Sequence, residues 1–253
     1  MKLANHSRIL WRSLPAFLLL LAAQNAYSQE KCIQAGADQQ SGTTNSYYWE
    51  LWNQNSKGTA CMTLGNGGSF SGRWSGIENY LARRGRKYNE TQTHQQIGTI
   101  NVKYNCDYKP STSAVNSYLA IYGWTVDPMV EYYIIEDWRN WNPSKDNSKQ
   151  PKGSFTIDGS SYEIVQTTRT QQPSIKGTAT FPQFFSIRTT TRNSGSIQVS
   201  EHFKKWESLN MKMGKMYEVS FVVEGYQSSG TFDFKELEVN VGSAGVSIPV
   251  SIS

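Results

Sequence analysis

The sequence predicts an all-β chain, a sandwich or partly closed barrel built from many short strands and one short helix. Three observations point there. Aromatic residues make up 13% of the 253 residues and charged residues only 18%, with 20 glycines, a balance that suits aromatic-faced sheets better than a helical bundle. Short β-rich runs recur at close spacing, separated by Gly, Asn and Ser turns. Two of these runs carry a glutamate beside a tyrosine on one face of an otherwise apolar strand.

Residues 1–28 have the form of a secretory leader. Lys2, Arg8 and Arg12 precede an apolar run from Leu14 to Ala23, and Ala26-Tyr27-Ser28 places small residues for cleavage before Gln29. The run is too short to cross a bilayer. Its loss removes three basic and no acidic residues, lowering the formal charge from +5 to +2. Nucleic-acid binding and, after cleavage, a membrane partner are therefore not expected, since no dense basic stripe remains to replace phosphate counterions. The short run Arg83-Arg84-Gly85-Arg86-Lys87 reads as a solvated turn. Residues 29–46 are polar, without hydrophobic period, and read as a flexible extension. Residues 47–241 are expected to form a single domain, because no internal repeat or long linker divides them. Residues 242–253 are a tail without usable pattern.

Within the domain, strand runs are expected at 47–52, 60–64, 69–74, 79–83, 99–104, 118–126, 128–138, 153–157, 161–169, 179–191, 217–227 and 231–241. Only 200–209 reads as helix, with Ser200 as its N-cap and Phe203 and Trp206 as an i, i+3 apolar pair. His202 on that helix reads as a structural residue.

The run 128–138 organises the rest. Alternation puts Glu131, Tyr133, Ile135 and Asp137 on one face, and Val130, Tyr132, Ile134, Glu136 and Trp138 on the other. In 217–227, Val222, Glu224 and Tyr226 share a face. A carboxylate in an apolar strand is costly unless it has partners or faces a wet cleft. Two of them suit sugar-chain hydrolysis, which needs an acid for the leaving oxygen and a second carboxylate as nucleophile or base. With Glu131 ionised, a nearby Glu224 would stay protonated close to neutral pH, and Tyr133 would donate to Glu131. Tyr118, Ala120, Tyr122 and Trp124 share a face, as do Tyr48 and Trp52, so flat rings would line a groove and stack on sugars. For any one ring, core packing explains its presence as well.

Cys32, Cys61 and Cys106 have no metal-site spacing, and export permits one disulfide with one thiol left over, in any of three pairings. His6 leaves with the leader, and His94 and His202 stand alone. Neither a metal nor another cofactor is expected.

Six motifs, in order, then carry a resemblance: Tyr48-Trp49-Glu50-Leu51-Trp52, Tyr122-Gly123-Trp124-Thr125, the run 128–138 with Glu131-Tyr132-Tyr133, Thr167-Thr168-Arg169, Pro173-Ser174-Ile175, and the stretch from Glu224 to Gly230. On these the chain from about residue 47 to 241 closely resembles the glycoside hydrolase family 11 endo-β-1,4-xylanases. The resemblance implies a β-jelly roll of two packed, strongly curved antiparallel sheets, shaped like a partly closed right hand, with one short α-helix and a deep cleft for xylan. It implies that Glu131 is the nucleophile and Glu224 the acid/base, with retention of anomeric configuration through a covalent glycosyl-enzyme intermediate. By the same resemblance Tyr122 and Tyr133 bond the nucleophile and the reacting sugar, and Trp52 stacks on a xylose. Arg169, Gln183 and Tyr226 are placed in the substrate cleft, and Pro173 at the tip of a thumb loop.

Asn79 matches the neighbour of the acid/base. An amide there can only hydrogen-bond, whereas an Asp would share a proton, so a near-neutral pH optimum is expected. The chain departs from the family pattern at Arg139-Asn140-Trp141, at Phe184-Phe185 and in its longer amino- and carboxyl-terminal extensions; residues 32–46 are expected as an extra strand or arm, pinned if Cys32 is oxidised. The expected protein is a secreted monomer acting on xylan and xylo-oligosaccharides. Two competing readings are a jelly-roll endoglucanase acting on β-1,4-glucan and a non-catalytic carbohydrate-binding module. The Tyr122-Gly123-Trp124-Thr125, Pro173-Ser174-Ile175 and Glu224-to-Gly230 motifs weigh against the first and the paired glutamates, each beside a Tyr, against the second.

Overall fold

Alternation of apolar and polar side chains becomes layering in the computed structural model, which describes residues 30–242. The leader-like residues 1–28 and nearly all of the tail lie outside the described residues. Two sheets pack into a β-jelly roll. The smaller has the order β1 (Glu30–Cys32), β4 (Thr59–Leu64), β5 (Phe70–Ser75), β15 (Gly230–Val241), β7 (Ile100–Pro110) and β13 (Ser194–Ile197). The larger runs β10 (Gln150–Ile157), β11 (Ser160–Ser174), β12 (Gly177–Arg188), β9 (Val130–Arg139), β8 (Asn116–Val126), β14 (Lys215–Tyr226), β6 (Asn79–Lys87), β3 (Tyr47–Asn53) and β2 (Gln39–Thr44). All neighbours are antiparallel except β9 and β12, which are parallel, with Glu131 opposite Gln183. The purely antiparallel expectation is corrected at that one pair.

The central strands of the larger sheet are buried on both faces, which is why they read as nearly continuous apolar runs. Leu119, Ile121, Tyr132, Ile134, Phe221 and Val223 face the smaller sheet in the main core. Tyr118, Ala120, Tyr122, Trp124, Tyr133 and Val222 form a separate cluster on the opposite face. Fully burying a Leu, Ile, Val or Phe among them is worth about 1.5–3 kcal/mol, so both layers contribute to stability. The helix α2 (Val199–Ser208) follows a one-turn helix α1 (His94–Ile97) that the sequence did not signal. Phe203 and Trp206 of α2 pack on Tyr132 with ring centroids 5.0 and 5.9 Å away.

Several expectations are corrected. Gln198, not Ser200, is the N-cap of α2; the Ser200 hydroxyl lies inside the helix and accepts from the Ile100 N–H at 2.8 Å. The basic run 83–87 is no turn but the end of β6, with Arg83 and Arg84 both buried. The polar extension is not a loose lead-in, because β1 pairs with β4 and β2 with β3, and Cys32 is joined to Cys61. That is the extra arm expected of an oxidised Cys32. Cys106 is the free thiol, buried in the core.

A bulge also breaks the alternation in β9. Ala120 stands opposite Ile135 but Leu119 opposite Asp137, so Glu136 is the extra residue. Beyond it the faces exchange: Trp138, expected opposite Glu131, packs with the Glu131-side cluster, while Asp137 pairs with the core-facing Leu119. Glu136 itself turns inward to Tyr104, Tyr162 and Arg192, which satisfy its charge.

Candidate active site

Each wall of the second face is built by alternation on one strand. Trp52 and Glu50 come from β3, Asn79, Leu81 and Arg83 from β6, Glu224 and Tyr226 from β14, and Tyr118, Tyr122 and Trp124 from β8. Glu131 and Tyr133 come from β9, Gln183 and Phe185 from β12, and Thr167 and Arg169 from β11. Together they line a cleft of about 970 Å³, and Pro173, Ser174 and Ile175 at the β11–β12 turn line it as well. Every residue assigned to the site from sequence, Asn79 included, lines this one cleft. Sequence reasoning did not assign Gln39, Glu50, Arg83, Trp141 or Asp146. Glu50 was legible, since it alternates with Trp52; Gln39 was not, because it reaches the cleft only through the pairing of β2 with β3.

In the register, Glu131 stands opposite Trp124 and Glu224 opposite Tyr118, at different heights on the shared neighbour β8. The two carboxyls are still near enough for the charge of Glu131 to raise the proton affinity of Glu224. Glu131 accepts from Gln183 Nε2 at 2.6 Å, from the Tyr122 hydroxyl at 2.9 Å and weakly from the Tyr133 hydroxyl at 3.4 Å. The closest phenol is thus Tyr122, itself receiving the Trp124 indole N–H, whereas the sequence pointed first to Tyr133. Glu224 accepts from Asn79 Nδ2 at 3.2 Å, and its Oε2 is buried without a partner.

The two environments differ in kind. Burial raises the proton affinity of Glu131, but Gln183, Tyr122, Arg169 and Tyr133 all oppose that rise. Glu224 is pushed up to about 7, chiefly by burial and then by the charge of Glu131, against weaker help from Asn79, Tyr133 and Arg169. The two carboxyls therefore differ in proton affinity, and the charge of Glu131 is one of the things that favours a proton on Glu224. Rings complete the walls: Phe185 stacks on Tyr133 at 5.2 Å, and Phe181 meets Trp124 edge-on at 4.9 Å.

A cleft walled by aromatic rings, with two carboxyls of unlike environment in its lining, places this jelly roll among the glycoside hydrolases. Comparison with known proteins narrows the class. A model of the glycosyl hydrolases family 11 matches residues 44–235. The chain is 52% identical over 206 residues to endo-1,4-beta-xylanase A of Thermoclostridium stercorarium, covering 81% of this chain and 30% of that protein. It is 48% identical over 202 residues to endo-1,4-beta-xylanase A of Bacillus pumilus, covering 80% and 85%. The solved family 11 xylanase from Neocallimastix patriciarum matches with a TM-score of 0.76 at 38% identity, over 85% of this chain and 100% of that one. The matched part spans only 30% and 39% of two T. stercorarium relatives. The chain belongs to glycosyl hydrolase family 11.

Proposed function

We propose that the chain is an endo-β-1,4-xylanase that cleaves internal bonds of xylan with retention of configuration. The observation that carries this reading is the unequal pair: Glu131 held by several donors, Glu224 pushed to about 7 with one oxygen free. Glu131 attacks the anomeric carbon while Glu224 passes its proton to the leaving glycosidic oxygen, giving a glycosyl ester on Glu131 and a free sugar end. Forming the ester removes the charge on Glu131, one of the causes that raises Glu224, so the Glu224 proton affinity falls. Glu224, now ionised, then takes a proton from water as the water oxygen attacks the same carbon and releases Glu131. No cofactor enters the scheme.

Trp52 and Tyr226 provide surfaces for neighbouring sugars, and Arg169 and Gln183 provide donors. The family resemblance implies an open, narrow cleft, which would admit a polymer and favour pentose chains without a hydroxymethyl branch. Export is supported by the leader-like residues 1–28 and by the Cys32–Cys61 bond, which persists in oxidising compartments.

The test is release of reducing ends from xylan and from a soluble β-1,4-glucan by the wild type, Glu131→Ala and Glu224→Ala. Xylan-selective hydrolysis that falls by about 10³-fold or more in both variants is expected. Preference for glucan would replace the reading with an endoglucanase, and binding of xylan without cleavage would replace it with a binding module.

A further inference from the structure

Beside the carboxyl pair, the cleft wall holds a second group of charges that the scheme above does not use. Arg83 on β6 is buried, and its guanidinium meets Glu50 on β3 at 2.8 Å and Glu218 on β14 at 2.9 Å. Tyr48, with Lys87 over its ring, donates to Glu50, and Ser220 donates to Glu218 at 2.7 Å. Glu218 is fully buried, and its Oε2 has no partner. Taking three charges out of water is rarely repaid by their attraction alone, so such a cluster is poorly explained by stability.

What the cluster does achieve is to aim a cation at the reaction centre. The Arg83 guanidinium carbon lies 5.1 Å from the centre of the Tyr122 ring, and the Tyr122 hydroxyl donates to Glu131 at 2.9 Å. A cation on the face of a phenol withdraws ring electron density and makes its O–H a stronger donor to a carboxylate. We propose that Arg83 is a positioning residue that strengthens the Tyr122 hydrogen bond to Glu131 and thereby holds that carboxylate ionised. Glu50 and Glu218 set how much of its charge Tyr122 feels. The inference rests on the reading of Glu131 as nucleophile.

Glu131 is also faced by Tyr133 from its own strand, Gln183 from β12, Arg169 from β11 and Glu224 from β14. None of these hydrogen-bonds Arg83, whose side-chain partners are Glu50 and Glu218. Changes at the cluster therefore reach Glu131 by way of Tyr122 or as a direct field, and the two routes can be separated.

The experiment is the acidic limb of the kcat/KM against pH profile on xylan for the wild type, Arg83→Met and Glu50→Gln, each shown folded by near-ultraviolet circular dichroism. Arg83→Met should move the limb to higher pH by about half a unit to one unit, the size of a partly desolvated cation–π contact. Glu50→Gln, which removes a counter-charge from Arg83, should move it to lower pH. Opposite shifts from one cluster cannot come from loosened packing, which would cost activity in both without moving the limb in two directions. In a Tyr122→Phe background both shifts should shrink to less than half. Unmoved limbs, or full shifts that survive Tyr122→Phe, would overturn the proposal. Should Arg83→Met fail to fold, Glu50→Gln decides alone: no downward shift would overturn it. Failure of the nucleophile reading looks different, since Glu131→Ala would then keep its activity.

Discussion

Asn79 donates its side-chain N–H to Glu224 Oε1 at 3.2 Å, and it is the one side chain hydrogen-bonded to that carboxyl at a normal distance among the described residues. Because an amide cannot release or share a proton, Glu224 keeps its own titration near 7. With Asn79→Asp two carboxyls would share a proton, and the active singly protonated pair would form at lower pH. The pH optimum on xylan should move from near neutral to about one unit or more lower. A full pH–rate profile of this variant checks it; an unchanged optimum would separate Asn79 from the titration of Glu224.

The raised proton affinity of Glu224 also affects stability. Its folded value of about 7 lies above the ordinary 4.5, so folding favours the protonated form. That contribution is complete below the ordinary value and is lost as pH rises toward and through 7. Glu224→Gln, which is neutral at every pH, should abolish hydrolysis yet be more stable than the wild type at pH 8 by about 1–3 kcal/mol, and nearly equal at pH 4. Urea denaturation at the two pH values measures the difference.

The Cys32–Cys61 bond ties β1 to β4 across a sequence separation of 29. Its removal in a Cys32→Ser, Cys61→Ser double variant should lower unfolding free energy by about 3 kcal/mol, because a loop of that size is restricted in the unfolded chain. Activity at 25 °C should persist, since neither sulfur lines the cleft. Denaturant unfolding with and without reductant tests this: the double variant should lose its response to reductant.

At the β11–β12 turn, Lys176 reaches Glu90 in the segment after β6 at 3.1 Å. Both side chains are partly exposed, so the pair is worth less than about 1 kcal/mol and weakens with salt. Lys176→Glu places two negative charges there and should loosen the β11–β12 turn, raising KM for xylan by about two- to fivefold at low salt. The exchange Lys176→Glu with Glu90→Lys should restore the wild-type value, and 1 M salt should erase the difference.

Much of this architecture was legible along the chain. Glu131 with Tyr133, Glu224 with Tyr226, and Tyr118, Tyr122 and Trp124 all emerged on the cleft face because strand alternation is local and survives folding wherever no extra residue intervenes. Where one did, at Glu136, the reading of Asp137 and Trp138 failed. Arg83 and Arg84 failed for another reason. Polarity suggests solvent, and only partners distant in sequence, such as Glu50 and Glu218, make burial of a guanidinium tolerable.

What the sequence determined by itself was therefore periodic or local: the strands, the helix around Phe203 and Trp206, the two glutamates and the rings beside them. The tertiary structure decided which of those groups meet. It closed Cys32 on Cys61, brought β2 to the edge of the cleft with Gln39 against Trp52, and set Arg83 under the Tyr122 ring. Above all it divided the two carboxyls into unlike states, because a proton affinity depends on burial, donors and neighbouring charge, which are properties of positions in space.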